Sequence, residues 1–75
     1  MQVKIYTTPT CAFCKMAKAY FKEHDVAYEE YDVSEDKDKL KEMFDKSGQM
    51  GVPVIDIEGK IILGFDQPGI EAALK

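Results

Sequence analysis

Two cysteines, Cys11 and Cys14, are the residues of this chain whose type and spacing could do chemistry. Ala12 and Phe13 separate them, so a helix would carry both sulfurs on one face and within reach of a disulfide bond. A disulfide that closes so short a loop constrains the unfolded chain rather little, so it is a poor structural staple. The pair therefore indicates metal binding or redox chemistry.

The surroundings of the pair predict which sulfur is the nucleophile. Cys11 follows a predicted strand and begins a predicted helix, where free amides and the helix dipole stabilise a thiolate. Lys15 and Lys18 add positive charge nearby. At such a position the pKa of a cysteine can fall to about 7 or lower, from about 8.5 for free cysteine. We expect Cys11 to attack a target disulfide and the more buried Cys14 to resolve the mixed disulfide.

Metal binding by one chain is disfavoured by the number of ligands. A structural zinc site needs four ligands, and the two cysteines could be joined only by His24 or an acidic residue. His24 lies nearly three turns along the same predicted helix, about 15 Å away, and cannot reach them. We therefore expect no metal in a single chain. An iron–sulfur cluster bridging two chains and a pair of inert cysteines are the alternatives.

The elements that must position the dithiol follow from alternation and from helical spacing. Strands are predicted at residues 2–6, 26–33, 54–57 and 61–63, and helices over residues 11–24, from Ser34 to Gly48 and after Asp66. The predicted inner faces of the three helices are Phe13, Ala17, Tyr20, Phe21 and His24; Leu40, Met43 and Phe44; and Ile70 and Leu74. Residues 58–60 are typical of a hairpin turn. The order β-α-β-α-β-β-α predicts an α/β fold with a four-stranded mixed sheet.

Length and charge limit the remaining possibilities. The 75 residues predict a single domain, spanning residues 1–75. The formal net charge of −4 argues against a nucleic-acid partner, which requires a basic face. No apolar run is long enough to cross a membrane, and the N-terminal residues carry charge where a signal peptide would be apolar. We expect a monomer in the cytoplasm, where thiols are kept reduced.

Three motifs in this order make the chain similar to the glutaredoxins and to the small glutaredoxin-like redoxins of bacteria and archaea. The motifs are Ile5-Tyr6-Thr7 leading into Cys11-Ala12-Phe13-Cys14, then Val52-Pro53, then Gly64-Phe65-Asp66. The resemblance covers nearly the whole chain. It implies a thioredoxin-like fold with the element order given above. It also implies a thiol–disulfide oxidoreductase that acts on protein or small-molecule disulfides and has no tightly bound cofactor.

The resemblance assigns roles that the residue pattern alone does not. It implies a cis peptide bond between Val52 and Pro53 beside the dithiol, with the backbone of Val52 free to pair with substrate. It further implies that Gly64, Phe65 and Asp66 hold the γ-glutamyl end of glutathione. The Asp66 carboxylate would meet the ammonium of glutathione, and helix N-terminal amides would meet its carboxylate. The other role open to Asp66 is to cap the last helix.

The chain departs from the family pattern at three places. Ala12 and Phe13 stand where glutaredoxins have Pro-Tyr, and we expect Phe13 to be an apolar docking contact for protein substrates. Thr8 replaces a lysine that would pair with the glycine carboxylate of glutathione, and Gly51 replaces a threonine. The candidate reductants are therefore glutathione, as a co-substrate, and a thioredoxin-reductase-like flavoprotein. Similar small redoxins, which reduce ribonucleotide reductase, are recharged by such a flavoprotein.

Overall fold

Seven helices and strands follow one another in the order that the sequence predicts. A computed structural model describes residues 2–74; Met1 and Lys75, which the predicted domain includes, lie outside the described residues. The elements are β1 (Val3–Thr7), α1 (Ala12–Glu23), β2 (Glu29–Asp32), α2 (Lys37–Ser47), β3 (Val54–Ile57), β4 (Lys60–Leu63) and α3 (Gln67–Leu74). The strands form one four-stranded sheet in the order β2-β1-β3-β4, in which β1 and β2 are parallel and the other pairs antiparallel. This confirms the predicted α/β fold with a mixed sheet.

The alternation of β1 decides which helix covers which face of the sheet. Ile5 packs with Phe21 of α1 and Ile70 of α3, whereas Tyr6 packs with Met43 of α2. Successive side chains of a strand point to opposite faces, so one strand anchors both layers of helices. Each of these side chains is fully buried, and burial of a large apolar side chain contributes about 1.5–3 kcal/mol.

The register of the strands brings three loops to one end of the sheet. Tyr6 of β1 pairs with Val54 of β3, and Val54 pairs with Leu63 of β4. The end of β1, the start of β3 and the end of β4 therefore lie side by side. The segments 8–11, 51–53 and 64–66 continue from these points, so the sheet places the dithiol beside the other two motifs.

Strand β2 is shorter than the predicted span of residues 26–33. The amide of Val26 donates to the carbonyl of Phe21 at 2.8 Å, and Asp25 has a φ of 54°. This segment therefore closes the end of α1 instead of pairing with β1. Val26 and Tyr28 still contribute to the core, because both pack against it from outside the sheet.

Helix α2 begins later than predicted, because Ser34 is not its N-cap. The N-cap is Asp36, whose side chain accepts a hydrogen bond of 3.1 Å from the amide of Lys39. Ser34 instead donates its amide to the carboxylate of Asp32 at 2.9 Å. That bond folds the residues before the helix into a turn and takes Ser34 out of the capping position.

The predicted inner faces of two helices are partly wrong. On α2, Met43 is buried and Leu40 half-buried, but Phe44 is 46 % exposed. Each helical residue turns by about 100°, so Phe44 is rotated away from the sheet that Met43 contacts. On α1 the two ends of the predicted face, Phe13 and His24, are exposed, while its middle is buried.

The predicted hairpin turn and the predicted C-terminal end of α2 agree with the structure except at Lys60. The turn between β3 and β4 consists of Glu58 and Gly59, with φ values of 53° and 89°, as two-residue hairpin turns require. Lys60, which the sequence placed in this turn, is the first residue of β4. Gly48 ends α2 with a φ of 73°, as predicted.

Among residues 2–74, none of the helices has the length and apolar character needed to span a bilayer.

Candidate active site

Cys11 is the N-cap of α1 and lies at the positive end of that helix. Its side chain accepts a hydrogen bond of 3.1 Å from the backbone amide of Cys14. The two cysteines form a disulfide bond, with their Cα atoms 5.2 Å apart. After reduction, the same amide and the helix dipole are placed to stabilise negative charge on the sulfur of Cys11.

The two sulfurs differ in access. Cys14 is 1 % exposed, while Cys11 is half-buried and faces the loop end of the sheet. A disulfide that approaches from solution therefore meets Cys11 first. Beside it, Phe13 and Met16 are 60 % and 49 % exposed and form an apolar surface on the first two turns of α1.

The loop before β3 approaches the same end of the sheet. The peptide bond between Val52 and Pro53 is cis, the isomer that the family resemblance implies, and the Pro53 side chain is buried. Within residues 2–74, neither the amide nor the carbonyl of Val52 has a protein hydrogen-bond partner. The backbone of Val52 can therefore pair with an extended segment of another molecule.

The loop after β4 is fastened at both of its ends. At one end, the amide of Gly64 donates to the carbonyl of Pro53 at 2.9 Å, and Gly64 has a φ of 73°. At the other, the Asp66 carboxylate accepts a hydrogen bond of 3.3 Å from the amide of Gly69 in the first turn of α3. Asp66 thus has the capping role, and its exposed carboxylate still faces solvent. Phe65 packs against the core, with its ring edge-on to Tyr20, so it anchors the loop.

Lys18, one of the two lysines predicted to add positive charge near the dithiol, is held in an ion pair with an acidic residue. Its ammonium binds the carboxylate of Glu30 at 2.8 Å, and the same oxygen accepts a hydrogen bond of 3.0 Å from the hydroxyl of Thr7. The hydrogen bond from Lys18 lowers the pKa of Glu30 despite partial burial, and the Thr7 hydroxyl lowers it further. Lys15 is exposed and has no ion-pair partner within residues 2–74.

The sequence reasoning missed Glu30, although alternation along β2 could have indicated it. Tyr31 and Val33 pack on the α2 face of the sheet. Glu30 must then point to the α1 face, beneath the helix that carries the cysteines. Its partners on that face, Thr7 and Lys18, could not be predicted without the register of β1 and β2, which sets Glu30 opposite Ile5.

A second polar cluster lies on the other face of the sheet and fastens α2. The ammonium of Lys46 donates to the carboxylate of Asp56 at 2.7 Å and to the hydroxyl of Tyr6 at 3.2 Å. Burial raises the pKa of Asp56, but hydrogen bonds from Lys46 and from the amide of Gly59 outweigh it and hold the pKa below its usual value. The bond to Asp56 raises the pKa of Lys46. The pair is therefore charged at neutral pH.

No metal centre is formed by the part of the chain that the structure describes. Residues 2–74 contain no group of three or more His, Cys, Asp or Glu side chains arranged to hold an ion.

Comparison with known proteins decides the family. The family model of the glutaredoxins matches residues 3–62, which include both cysteines and the cis-proline. The chain belongs to the glutaredoxin family. This membership, together with the cysteine pair at the start of α1, supports a thiol–disulfide oxidoreductase.

Individual relatives of this glutaredoxin-family chain agree. It is 41 % identical over 73 residues to an uncharacterized glutaredoxin-like 8.6 kDa protein in the rubredoxin operon of Clostridium pasteurianum, with 97 % of each chain covered. It is 38 % identical over 64 residues to glutaredoxin 3 of Escherichia coli strain K12, covering 85 % of this chain and 77 % of that protein. The solved thioredoxin-like protein BC3987 superposes with a TM-score of 0.89 at 28 % identity, covering 95 % of this chain and 97 % of that one. The fold is therefore thioredoxin-like.

Proposed function

We propose that this chain is a dithiol electron carrier that reduces disulfide bonds in other proteins, in a reducing compartment such as the cytoplasm. The observation that carries the proposal is the asymmetry of the two sulfurs at one helix end. Cys11 is accessible and accepts an amide hydrogen bond, whereas Cys14 is buried directly behind it. Such a pair has one sulfur to attack and one to resolve.

The reaction follows from that asymmetry. The thiolate of Cys11 attacks one sulfur of the target disulfide, and the second target sulfur leaves as a thiolate and takes a proton from solvent. Cys14 then loses its proton and attacks the sulfur of Cys11, which releases the first target sulfur. Two electrons have passed to the target, and the Cys11–Cys14 disulfide remains until a reductant restores it.

Docking of the target is supported by the free backbone of Val52 and by the apolar surface of Phe13 and Met16. An extended segment of the target can form β-type hydrogen bonds with Val52, as in strand addition. The exposed ring of Phe13 offers apolar area to the same partner. Both features lie at the end of the sheet that carries Cys11, so they can hold a disulfide against it.

The proposed reductant is a thioredoxin-reductase-like flavoprotein. Thr8 and Gly51 stand where glutaredoxins have two residues that contact glutathione, so the site offers glutathione fewer polar partners. Glutathione is the alternative, because the exposed Asp66 and the amides of α3 could hold its γ-glutamyl end. Turnover with glutathione and glutathione reductase alone would favour this alternative. Turnover only with a flavoprotein reductase of the thioredoxin type would favour the proposal.

A cluster bridged between two chains would use the same cysteine in another way. In the family, a proline usually follows the first cysteine, and this proline tends to disfavour clusters. Ala12 stands at that position here, and it is exposed. Anaerobic reconstitution with iron and sulfide tests this alternative. A brown dimer with visible absorbance would support it, and a colourless monomer would exclude it.

The deciding experiment is the redox equilibrium of Cys11 and Cys14 in a glutathione buffer. The mixture is quenched with acid, the free thiols are alkylated, and the products are counted by mass. We expect a reversible two-electron couple with a potential of about −200 to −280 mV, the range of thioredoxins and glutaredoxins. Two thiols that do not pair, or that pair only under harsh oxidants, would contradict the proposed function.

A further inference from the structure

A polar network on the α1 side of the sheet joins three elements through one carboxylate oxygen. Oε2 of Glu30 on β2 accepts hydrogen bonds from Nζ of Lys18 on α1, at 2.8 Å, and from Oγ1 of Thr7 on β1, at 3.0 Å. Thr7 is 2 % exposed and is the last residue of β1 before the loop that leads to Cys11. Lys18 lies four residues, about one helical turn, after Cys14.

The ion pair between Lys18 and Glu30 decides where the Lys18 ammonium lies relative to Cys14. A side chain on a helix leans toward the helix N-terminus and covers the preceding turn. An untethered Lys18 would therefore extend over the turn that contains Cys14. An ammonium group close to a thiol favours the thiolate. Glu30 instead holds the ammonium against the sheet and balances its charge.

The other charged groups at this end of the sheet are exposed or engaged elsewhere. Lys15 on α1 is exposed, and Asp66 caps α3. Asp32 binds the amide of Ser34, but its charge also acts on Glu30 and raises the pKa of that carboxyl, against the larger effect of Lys18. An open groove from the end of β2 to the start of α2 is lined by Glu30 itself and by Tyr31, Asp32, Glu35, Asp36, Lys37 and Asp38. Within the described part of the chain, residues 2–74, Lys18 is the charged side chain of α1 that an ion pair fixes, and its partner is Glu30.

We propose that Glu30 is a positioning residue for the dithiol reaction, which by holding Lys18 keeps Cys14 protonated until Cys11 has formed the mixed disulfide. The inference rests on the proposed function and adds the group that keeps Cys14 protonated during its first step. With Cys14 held as a thiol, Cys11 is the nucleophile that a target meets. In the second step the proton of Cys14 passes to solvent, the Cys14 sulfur bonds to the Cys11 sulfur, and the target leaves as a thiolate.

The first test measures the ionisation of Cys14 directly. All proteins in this test carry Cys11→Ser, so that Cys14 is the one remaining thiol. Thiolate absorbance at 240 nm is followed as a function of pH for this parent protein and for its Glu30→Gln, Lys18→Gln and double variants. Glu29→Gln is the matched control, because it removes the same charge from the neighbouring residue of β2, which points to the other face of the sheet. We expect Glu30→Gln to lower the titration midpoint by about half a pH unit and Glu29→Gln to leave it nearly unchanged.

The double variant separates tethering from a simple count of charges. If Glu30 restrains Lys18, then Lys18→Gln raises the midpoint of Cys14 roughly twice as much in the Glu30→Gln background as in the parent. If the two charges act independently, the shift is the same in both backgrounds. Glu30→Gln removes the charge that pairs with Lys18 but keeps the size and shape of the side chain, and an unchanged denaturation curve for each variant confirms that the fold is retained.

The second test measures the resolving step with both cysteines present. The reduced protein reacts with Ellman's reagent in a stopped-flow instrument at 412 nm, where a first phase forms the mixed disulfide on Cys11. A second phase, independent of reagent concentration, reports the attack of Cys14. A midpoint lowered by half a unit triples the thiolate fraction but reduces its nucleophilicity, so Glu30→Gln should accelerate this second phase by about twofold.

Two results would overturn the inference. One is an equal shift of the Cys14 midpoint in Glu30→Gln and Glu29→Gln, and the other is an equal effect of Lys18→Gln in both backgrounds. Failure of the proposed function looks different, because the parent protein would then show no second phase with Ellman's reagent. A normal second phase with a midpoint that Glu30→Gln does not move would reject only the role of Glu30.

Discussion

The amide of Gly64 donates a hydrogen bond to the carbonyl of Pro53 across 2.9 Å. This bond joins the loop after β4 to the residue just before β3. One contact therefore fixes two of the three segments at the end of the sheet that carries the dithiol. Gly64 makes it with a φ of 73°, and apart from Gly64 and its two chain neighbours no heavy atom lies within 4 Å of the position where a Cβ would stand. The need for glycine is therefore conformational and not steric.

Replacing this glycine should cost stability. Gly64→Ala forces a side chain into the left-handed region, and we expect the free energy of unfolding to fall by about 1–2 kcal/mol. Gly51→Ala is the matched control, because its Cβ would make an ordinary contact of 3.7 Å with Gln49 and no positive φ is required. Urea denaturation measures both variants. Equal stability of the two would show that the conformation of Gly64 is not constrained.

The two cysteines should behave differently when each is replaced alone. Cys14→Ser keeps the accessible nucleophile but cannot resolve, so a mixed disulfide with a target should accumulate and persist. Cys11→Ser removes the nucleophile, and we expect no mixed disulfide under the same conditions. Mass spectrometry after acid quench distinguishes the products. Accumulation in Cys11→Ser would reverse the assigned roles.

The exposed ring of Phe13 should matter for large substrates and not for small ones. Phe13→Ala removes apolar contact area, and we expect KM for a protein disulfide to rise about five- to tenfold, since tenfold corresponds to about 1.4 kcal/mol. Reaction with a small aromatic disulfide should change less than twofold. Phe44→Ala is the control, because Phe44 is also exposed but lies on α2, the helix on the other face of the sheet. A similar rise in KM for Phe44→Ala would argue against a docking role for Phe13.

Glutathione use should increase when the two missing contacts are supplied. We expect Thr8→Lys combined with Gly51→Thr to raise kcat/KM for glutathione about tenfold, since a charged hydrogen bond contributes about 1.5–3 kcal/mol. Gly51 has space for a side chain. Thr10→Lys adds the same charge at an exposed position nearby and serves as the control. An unchanged kcat/KM in the double variant would mean that glutathione does not bind in this orientation.

Acid should weaken the contact between α2 and the sheet through Asp56. Its folded pKa lies below the unfolded value, so its stabilising contribution is complete above the unfolded pKa and is lost as the pH falls through the folded one. Asp56→Asn should therefore lose about 1–3 kcal/mol near pH 7 and show a flatter stability profile below pH about 4. Asp45→Asn, which alters an exposed carboxylate on α2, is the control. Parallel profiles for Asp56→Asn and the parent would contradict this assignment.

Local patterns sufficed for the order of the elements, because alternation and helical spacing depend on near neighbours. They failed where a side chain had two options. Ser34 could cap α2 or bind the carboxylate of Asp32, and the second option is realised because the chain turns there. Phe44 could face the sheet or solvent, and its position one residue after the buried Met43 turns it outward.

Some residues of the site could likewise be predicted from local patterns, and others could not. Spacing alone located Cys11 and Cys14, and family resemblance was needed to single out Pro53, since a proline at a strand start has an ordinary structural reading. The tether between Lys18 and Glu30 lay beyond both approaches. It depends on the parallel register of β1 and β2, a contact between residues far apart in the chain.

Strand β2 forms one edge of the sheet, and three of its four residues are acidic: Glu29, Glu30 and Asp32. An edge strand exposes unpaired amides and carbonyls that another chain can join, which is a route to aggregation. Two copies that met edge to edge along β2 would bring the carboxylates of Glu29 and Asp32 close to those of the other copy, while the charge of Glu30 is balanced by Lys18. The repulsion is screened by salt and vanishes when the carboxylates are protonated. The protein should therefore tolerate high concentration best at neutral pH and low ionic strength, and fibril-like stacking should appear first in acid.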